Sequence, residues 1–381
     1  MYKRERENTE NDHLINKLAI SIKSPSNLIH TIGLSPSISF IMTTTIRKVQ
    51  FSAAGGPEVV SVINAAISAP AANEVQVKVL YAGMGGADIV FRLGLYPQQK
   101  SATGMTPGYS LVGRVQANGA NCTKFKHGDL VACLTKYDAH AELCNCVERY
   151  LISVPEGLEL PQAVSMVTDW TTAYGMAYRT ATITAGQRIF IHGLSGSVGY
   201  GLLTFCKMQG AIVYGTASEK NHAAVRAAGA HPFTYSNKDW MKAMNEMGGA
   251  HVVYDPLGFE SWDESWNILA PAGGYLVGYG GNYNVLNGGE PRSQLAQVAK
   301  LIAKGLIPFC PNKTTFFYID KDQKTFEPEL KKLFGMLESG DVQVPIRKMW
   351  TLGEVPEAHR TWNQGLGVGA VVIKVAEDGE L

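Results

Sequence analysis

Hydrophobic and polar positions change their period along the chain, and the changes predict its elements. Glu74-Val-Gln-Val-Lys-Val-Leu80 alternates polar and apolar residues, as a half-buried strand does. Ser110–Val115 and Asp129–Cys133 read as further strands, punctuated by turn residues at Pro107-Gly108, Gly119 and Gly128. Short strands so spaced, beginning near Ile46, predict a barrel-like β domain. Near Leu160 the texture becomes helical: Ala163, Met166, Val167, Trp170, Ala173 and Tyr174 recur at helix spacing between Pro161 and Tyr178. Arg188-Ile-Phe-Ile-His192 is then a short apolar run of the kind buried on both faces of a parallel sheet. A helix at about 198–209 and a strand at 211–215 follow, and 250–255 and 274–278 repeat the strand pattern, each after a helical stretch. Alternating strands and helices predict a doubly wound parallel sheet. Beyond Phe326 the pattern gives one helix, 330–337, and then β segments at 345–350 and 371–375. The expected fold is therefore α/β. A β domain at 43–165 is interrupted by a dinucleotide-binding domain at 166–318 and completed by 319–381.

Composition removes several functions from the list. A formal net charge of +1 supplies no field toward nucleic acid or an anionic membrane. No apolar run approaches the length of a membrane span. Six scattered cysteines suit free thiols in a reducing compartment, so a cytoplasmic protein is expected. Residues 1–42 differ from the rest: a dense charged run, Met1 to His13, precedes a Ser- and Pro-containing stretch. Glu5, Glu7, Glu10 and Asp12 argue against a mitochondrial presequence, and the segment is read as a disordered extension.

The candidate chemistry sits after the strand at 188–192. Gly193, Gly196 and Gly199 close that strand and open a helix, with Ser197 and Val198 between the last two. In such a turn the first glycine makes the bend, the second admits a pyrophosphate to the backbone, and the third lets helix and strand pack closely. The N–H groups at the helix start then meet the phosphate charge. The next strand ends at Gly215-Thr-Ala-Ser-Glu-Lys220. An NAD site usually presents an acid there. Ser218 and Lys220 suit a 2′-phosphate, so NADPH is expected, with Glu219 as the dissenting residue.

In order and spacing, Ala82–Asp88 with Gly94-Leu-Tyr96, Pro107-Gly108, Gly128-Asp129, Thr172-Ala-Tyr174, the 193–199 turn, Gly215–Ser218, Asp255-Pro-Leu-Gly258 and Ala358-His-Arg360 resemble the quinone oxidoreductase and enoyl reductase branch of the medium-chain dehydrogenase/reductase superfamily. The resemblance spans about Thr43 to Val375. It implies a GroES-like β-barrel domain, an inserted Rossmann domain, and hydride transfer from NADPH to a small molecule, a quinone or an α,β-unsaturated carbonyl compound. By that likeness Thr172, Gly278 and Tyr279 face the nicotinamide, Tyr235 faces the adenosine end, and relatives form homodimers through their sheet edges. Two departures stand out: Gly85 and Ala370 occupy positions where relatives often carry Asn and Lys. Tyr96 is then the candidate for polarising the substrate carbonyl, and residues near Phe91, Tyr109 and Trp170 would shape a bulkier pocket. Zinc-dependent cousins use Cys and His where this chain has Gly83-Met-Gly85 and Pro107-Gly-Tyr-Ser110, so no metal is expected. A reductase in a biosynthetic pathway and an NADPH-binding scaffold or sensor are the alternative readings.

Overall fold

The protein is described by a computed structural model covering residues 43–95, 101–281, 289–290, 292–362, 364 and 367–379. The expected extension 1–42 and Tyr96 lie outside the described residues. Three sheets organise the chain from Thr43 onward. An antiparallel pair opens it, β1 (Thr43–Phe51) with β2 (Val60–Ser68). A seven-stranded sheet follows, built from β3 (Glu74–Met84), β4 (Ser110–Asn118), β5 (Leu130–Leu134), β6 (Leu143–Val147) and β7 (Ile152–Ser153). It is completed from the far end of the chain by β14 (Ile346–Thr351) and β15 (Ala370–Lys374), β15 lying against β3.

Between these parts runs the parallel sheet β10-β9-β8-β11-β12-β13. Its strands are β8 (Arg188–His192), β9 (Ile212–Ala217), β10 (Ala230–Thr234), β11 (Val252–Asp255), β12 (Tyr275–Gly278) and β13 (Lys313–Phe316). The helices that matter below are α1 (Gly86–Arg92), α2 (Leu160–Ser165), α3 (Thr171–Tyr174), α4 (Ser197–Met208), α5 (His222–Ala227), α6 (Asp239–Glu246), α7 (Glu260–Asn267), α8 (Gln294–Lys304), α9 (Phe326–Glu338) and α10 (Val355–Arg360). The apolar run of β8 is buried from Ile189 to His192, as a central parallel strand must be.

The expected helix at 161–178 is a single helical run of mixed geometry. Wide π turns at Met166–Trp170 and Gly175–Thr180 alternate with the α turns of α2 and α3. Each π turn accommodates an extra residue and re-aims the side chains beside it. The run packs on α4 at Gly201, where an added Cβ would stand 2.9 Å from the Ala173 Cβ and 3.4 Å from the Trp170 ring. Trp170 is wholly buried, edge-on to Phe205 at 5.4 Å between centroids.

A buried polar contact ties α1 to α10. The Arg92 guanidinium donates to Nδ1 of His359 at 3.2 Å, while its Nε donates to the Gly55 carbonyl at 3.0 Å. Burial and the adjacent Arg92 charge hold His359 well below the usual histidine range, so its ring is the neutral acceptor.

Candidate active site

All the strands of the Rossmann sheet run parallel, so their carboxyl ends share one edge. Sequence order reverses across the β8–β11 boundary, the switch point where open α/β sheets bind ligands. The residues expected to hold a cofactor leave these ends: the 193–199 turn after β8, Ser218 and Lys220 after β9, Tyr235 after β10, and Gly278 and Tyr279 at and after β12. Thr172 enters from α3 and is nearly buried.

The turn itself is tightly specified. Gly193 adopts φ +77°, a left-handed conformation that favours glycine. Its N–H donates to the carbonyl and to the hydroxyl of Thr216, at 3.1 and 3.2 Å, and Leu194 N–H donates to the same carbonyl at 2.9 Å. At Gly199 an added Cβ would lie 2.1 Å from the Gly193 carbonyl oxygen, so only glycine lets α4 start this close to the strand. At Gly196 the same test gives 3.4 Å, an ordinary contact, so its lack of a side chain leaves space rather than relieving a clash. A cradle with a bare floor at the start of a helix fits a pyrophosphate.

A chain of buried hydrogen bonds anchors the turn from beneath. Asp255, at the end of β11, accepts from the Leu257 N–H (2.8 Å), the Ser261 hydroxyl (2.7 Å) and the Ser265 hydroxyl (2.6 Å). The Ser265 oxygen is 3.1 Å from Nε2 of His192, and Nδ1 of His192 is 3.2 Å from the Thr216 hydroxyl. With the Ser265 hydrogen directed at Asp255, the proton sense follows: Nε2–H donates to Ser265, and Thr216 donates to Nδ1 while accepting from Gly193. Burial lowers the His192 pKa against the opposing pull of Asp255, consistent with this neutral ring. His192 is thus a core histidine with both ring nitrogens satisfied, and also the middle link between Asp255 and the glycine turn.

The remaining expected residues separate by environment. Ser218 is half-buried and Lys220 exposed, its ammonium 3.4 Å from the Gln364 carbonyl. Glu219 is exposed as well. Tyr235 is 50% exposed and lines a cavity of about 180 Å³ with Thr216, Leu257 and Gly258. Tyr279 is buried, its N–H bonded to the Asp255 carbonyl at 3.1 Å, and burial drives its phenol pKa far up. Phe91 and Trp170 are core rings rather than pocket walls; of that trio Tyr109 alone keeps partial exposure. Gly85 caps α1, donating to Asp88 at 2.9 Å, and an added Cβ there would meet nothing nearer than Ala87 N at 4.0 Å. A side chain at 85 would therefore fit.

Two charged residues near the start of α4 were not foreseen. Asp169 lies in the first π turn of the helical run, facing the Ser197 hydroxyl, and burial raises its pKa to about 6. Arg347 lies where β14 slips register against β15, between the pairs Ile346↔Ala370 and Lys348↔Val371. Among the described residues no cluster of three His, Cys, Asp or Glu side chains is placed to hold a metal ion.

Two family descriptions match this chain: an alcohol dehydrogenase GroES-like domain over residues 71–157 and a zinc-binding dehydrogenase over residues 228–373. Quinone oxidoreductase of Pseudomonas aeruginosa is 29% identical over 319 residues, 82% of this chain and 94% of that protein. Among solved structures, the Escherichia coli quinone oxidoreductase complexed with NADPH aligns with TM-score 0.73 at 22% identity, covering 86% of this chain and 99% of that one. The JamJ enoyl reductase aligns with TM-score 0.75 at 21% identity, covering 87% and 100%. The chain belongs to the medium-chain dehydrogenase/reductase superfamily, in its quinone oxidoreductase branch. It is an oxidoreductase, and the cofactor class of its family is a nicotinamide dinucleotide. No described helix is long and apolar enough to cross a membrane.

Proposed function

We propose that the protein reduces a quinone or an α,β-unsaturated carbonyl compound with NADPH and without zinc. The observation that carries this reading is the shared strand-end edge, where the glycine turn, Ser218, Lys220, Tyr235 and Tyr279 follow one another across the sheet. The segments 43–165 and 319–381 form the substrate side, and 166–318 the cofactor side. The nicotinamide supplies hydride chemistry when bound. The turn's backbone and the start of α4 hold the pyrophosphate, and Ser218 with Lys220 takes the 2′-phosphate.

Of the groups closest in type to metal ligands, Asp88 and Nε2 of His140 are already engaged, while Nδ1 of His140 has no hydrogen-bond partner among the described residues. Asp88 accepts from the Gly85 and Gly108 N–H groups at 2.9 Å each, and Nε2 of His140 contacts the Gly83 carbonyl at 3.0 Å. This supports zinc independence. All six cysteines are free, in keeping with a cytoplasmic location. The edge strand β13, with exposed Leu295, Leu306 and Phe309 nearby, supports a homodimer through the sheet edge. Sedimentation of a monomer at micromolar concentration would argue against that assembly.

The test is cofactor consumption against a panel of quinones and enones, with NADH in parallel and after chelator treatment. Turnover with NADPH that survives chelation is expected. Lys220→Ala should weaken NADPH binding roughly 10- to 100-fold, the worth of one charge-assisted bond, and leave NADH binding nearly unchanged. Equal loss for both cofactors would refute the 2′-phosphate role. The bare Gly85 position keeps the scaffold or sensor reading in view; NADPH binding with no turnover on any acceptor would select it.

A further inference from the structure

The cleft holds one acid that the foregoing chemistry leaves unused. Asp169 projects from a π turn, Met166–Trp170, one helical turn before Thr172. Its neighbours come from four other elements. The Ser197 hydroxyl stands at the start of α4, Arg347 on β14, Tyr279 just past β12, and Asp88 on α1. The segment before β15 brings these parts together: Gly369 N–H donates to the Ser195 carbonyl at 2.9 Å, and Gly196 bridges to Gly369.

Arg347 reaches this place because of the β14 register slip beside Ala370, the position where relatives often carry a lysine. Its guanidinium stands 5.9 Å from the Trp362 ring. No described partner lies within ion-pair distance of it or of Asp169, and the Ser197 hydroxyl facing Asp169 forms no hydrogen bond of good geometry. A carboxyl near a cation, yet not clamped by one, is free to exchange a proton. Burial and the Asp88 charge favour its protonated form, while Arg347 and Ser197 favour the carboxylate; the balance is a pKa of about 6.

We propose that Asp169 is the proton donor of the reduction and that Arg347 is a positioning residue that tunes it. The proposal rests on the reductase reading above. In the enone case a bound nicotinamide would supply hydride to the acceptor's β carbon, and the C=C π pair would move toward the carbonyl oxygen. The Asp169 O–H bond then breaks and a C–H bond forms at the α carbon. The resulting carboxylate faces Arg347 and recovers its proton from water. In sum the acceptor gains a hydride and a proton, and the cofactor is oxidised by two electrons.

Asp169→Asn keeps shape and removes the proton. Wild-type kcat/KM should fall about tenfold per pH unit above the carboxyl pKa. The variant should be slower by about 100-fold or more at its best pH, with that limb gone. Its NADPH dissociation constant and melting temperature should not worsen. A protonated-carboxyl infrared band should titrate in wild type and be missing from the variant, which reads the acid without turnover. Arg347→Gln should move the limb to higher pH. An unchanged pH limb in Asp169→Asn overturns the proposal. So does a rate loss matched by lost NADPH binding, which makes Asp169 a cofactor ligand. Wild type inert toward every acceptor overturns the reductase reading itself, a different result from an active wild type with an unaffected variant.

Discussion

Gly199→Ala is expected to cost the protein its dinucleotide. The new methyl would lie 2.1 Å from the Gly193 carbonyl oxygen and 2.8 Å from its carbon, whereas real Cβ atoms essentially never approach within 3.0 Å. Both obstacles are backbone, so α4 must withdraw from the turn by about an ångström. A misplacement of that size in a positioning element costs on the order of 100-fold, and overpacking adds about 1–3 kcal/mol of destabilisation. Fluorescence titration with NADPH and thermal melting measure the two effects. Gly196→Ala is the contrasting case: its methyl meets the Gly193 oxygen at 3.4 Å, so the fold accepts it, but it occupies the floor of the cradle. The melting temperature should stay near wild type while affinity falls. If Gly199→Ala binds NADPH as wild type does, the turn is not the phosphate site.

Much of this arrangement was legible in the chain. The strand at 188–192 emerges with the expected limits because an apolar run bounded by polar residues and glycine has few other fates. The helix after the glycine turn begins at Ser197, one residue before the expected start. The π turns were not legible, since π and α periods barely diverge over five residues; yet Asp169, an acid amid Met166, Val167 and Trp170, was a visible irregularity. Arg347 could not be read at all. Alternation assigns it to one face of a strand, and only the register slip against β15, a property of two distant segments, brings it to the cleft. Likewise β13, Lys-Thr-Thr-Phe, lacks the apolar run of an inner strand because it forms the sheet's edge.

The two departures from the family pattern have different structural meanings. Gly85 leaves open space, since an added Cβ there is 4.0 Å from its nearest neighbour. Ala370 leaves a buried strand position without a cation, but its partner strand carries Arg347 one residue beyond the paired Ile346. The first loss is not offset within the described residues, whereas the second is met from the neighbouring strand.

Asp255→Ala should be the most damaging change to stability. Removing the carboxylate orphans the Leu257 N–H and the Ser261 and Ser265 hydroxyls; Asp255 and Ser265 have no exposure, while Leu257 and Ser261 are partly buried. Buried unsatisfied donors cost about 1–3 kcal/mol each, less when shared, so a loss of about 4 kcal/mol is expected in urea unfolding. Asp255→Asn is the finer probe. Its amide still accepts from Leu257 but presents N–H groups toward Ser261 and Ser265. The Ser265 hydrogen must then turn toward His192, moving the ring proton from Nε2 to Nδ1. Thr216, already receiving the Gly193 N–H, becomes an acceptor from His192 as well and loses the acceptor for its own hydrogen. The disturbance thereby reaches the glycine turn through three side chains. Asp255→Asn should lose NADPH affinity together with stability, and nitrogen NMR should report the tautomer exchange at His192. A control, Ser261→Ala, removes a donor outside that chain and should leave both affinity and tautomer alone. If Asp255→Asn leaves the His192 tautomer unchanged, the proton order assigned to this network is wrong, and the turn is held by the Thr216 carbonyl alone.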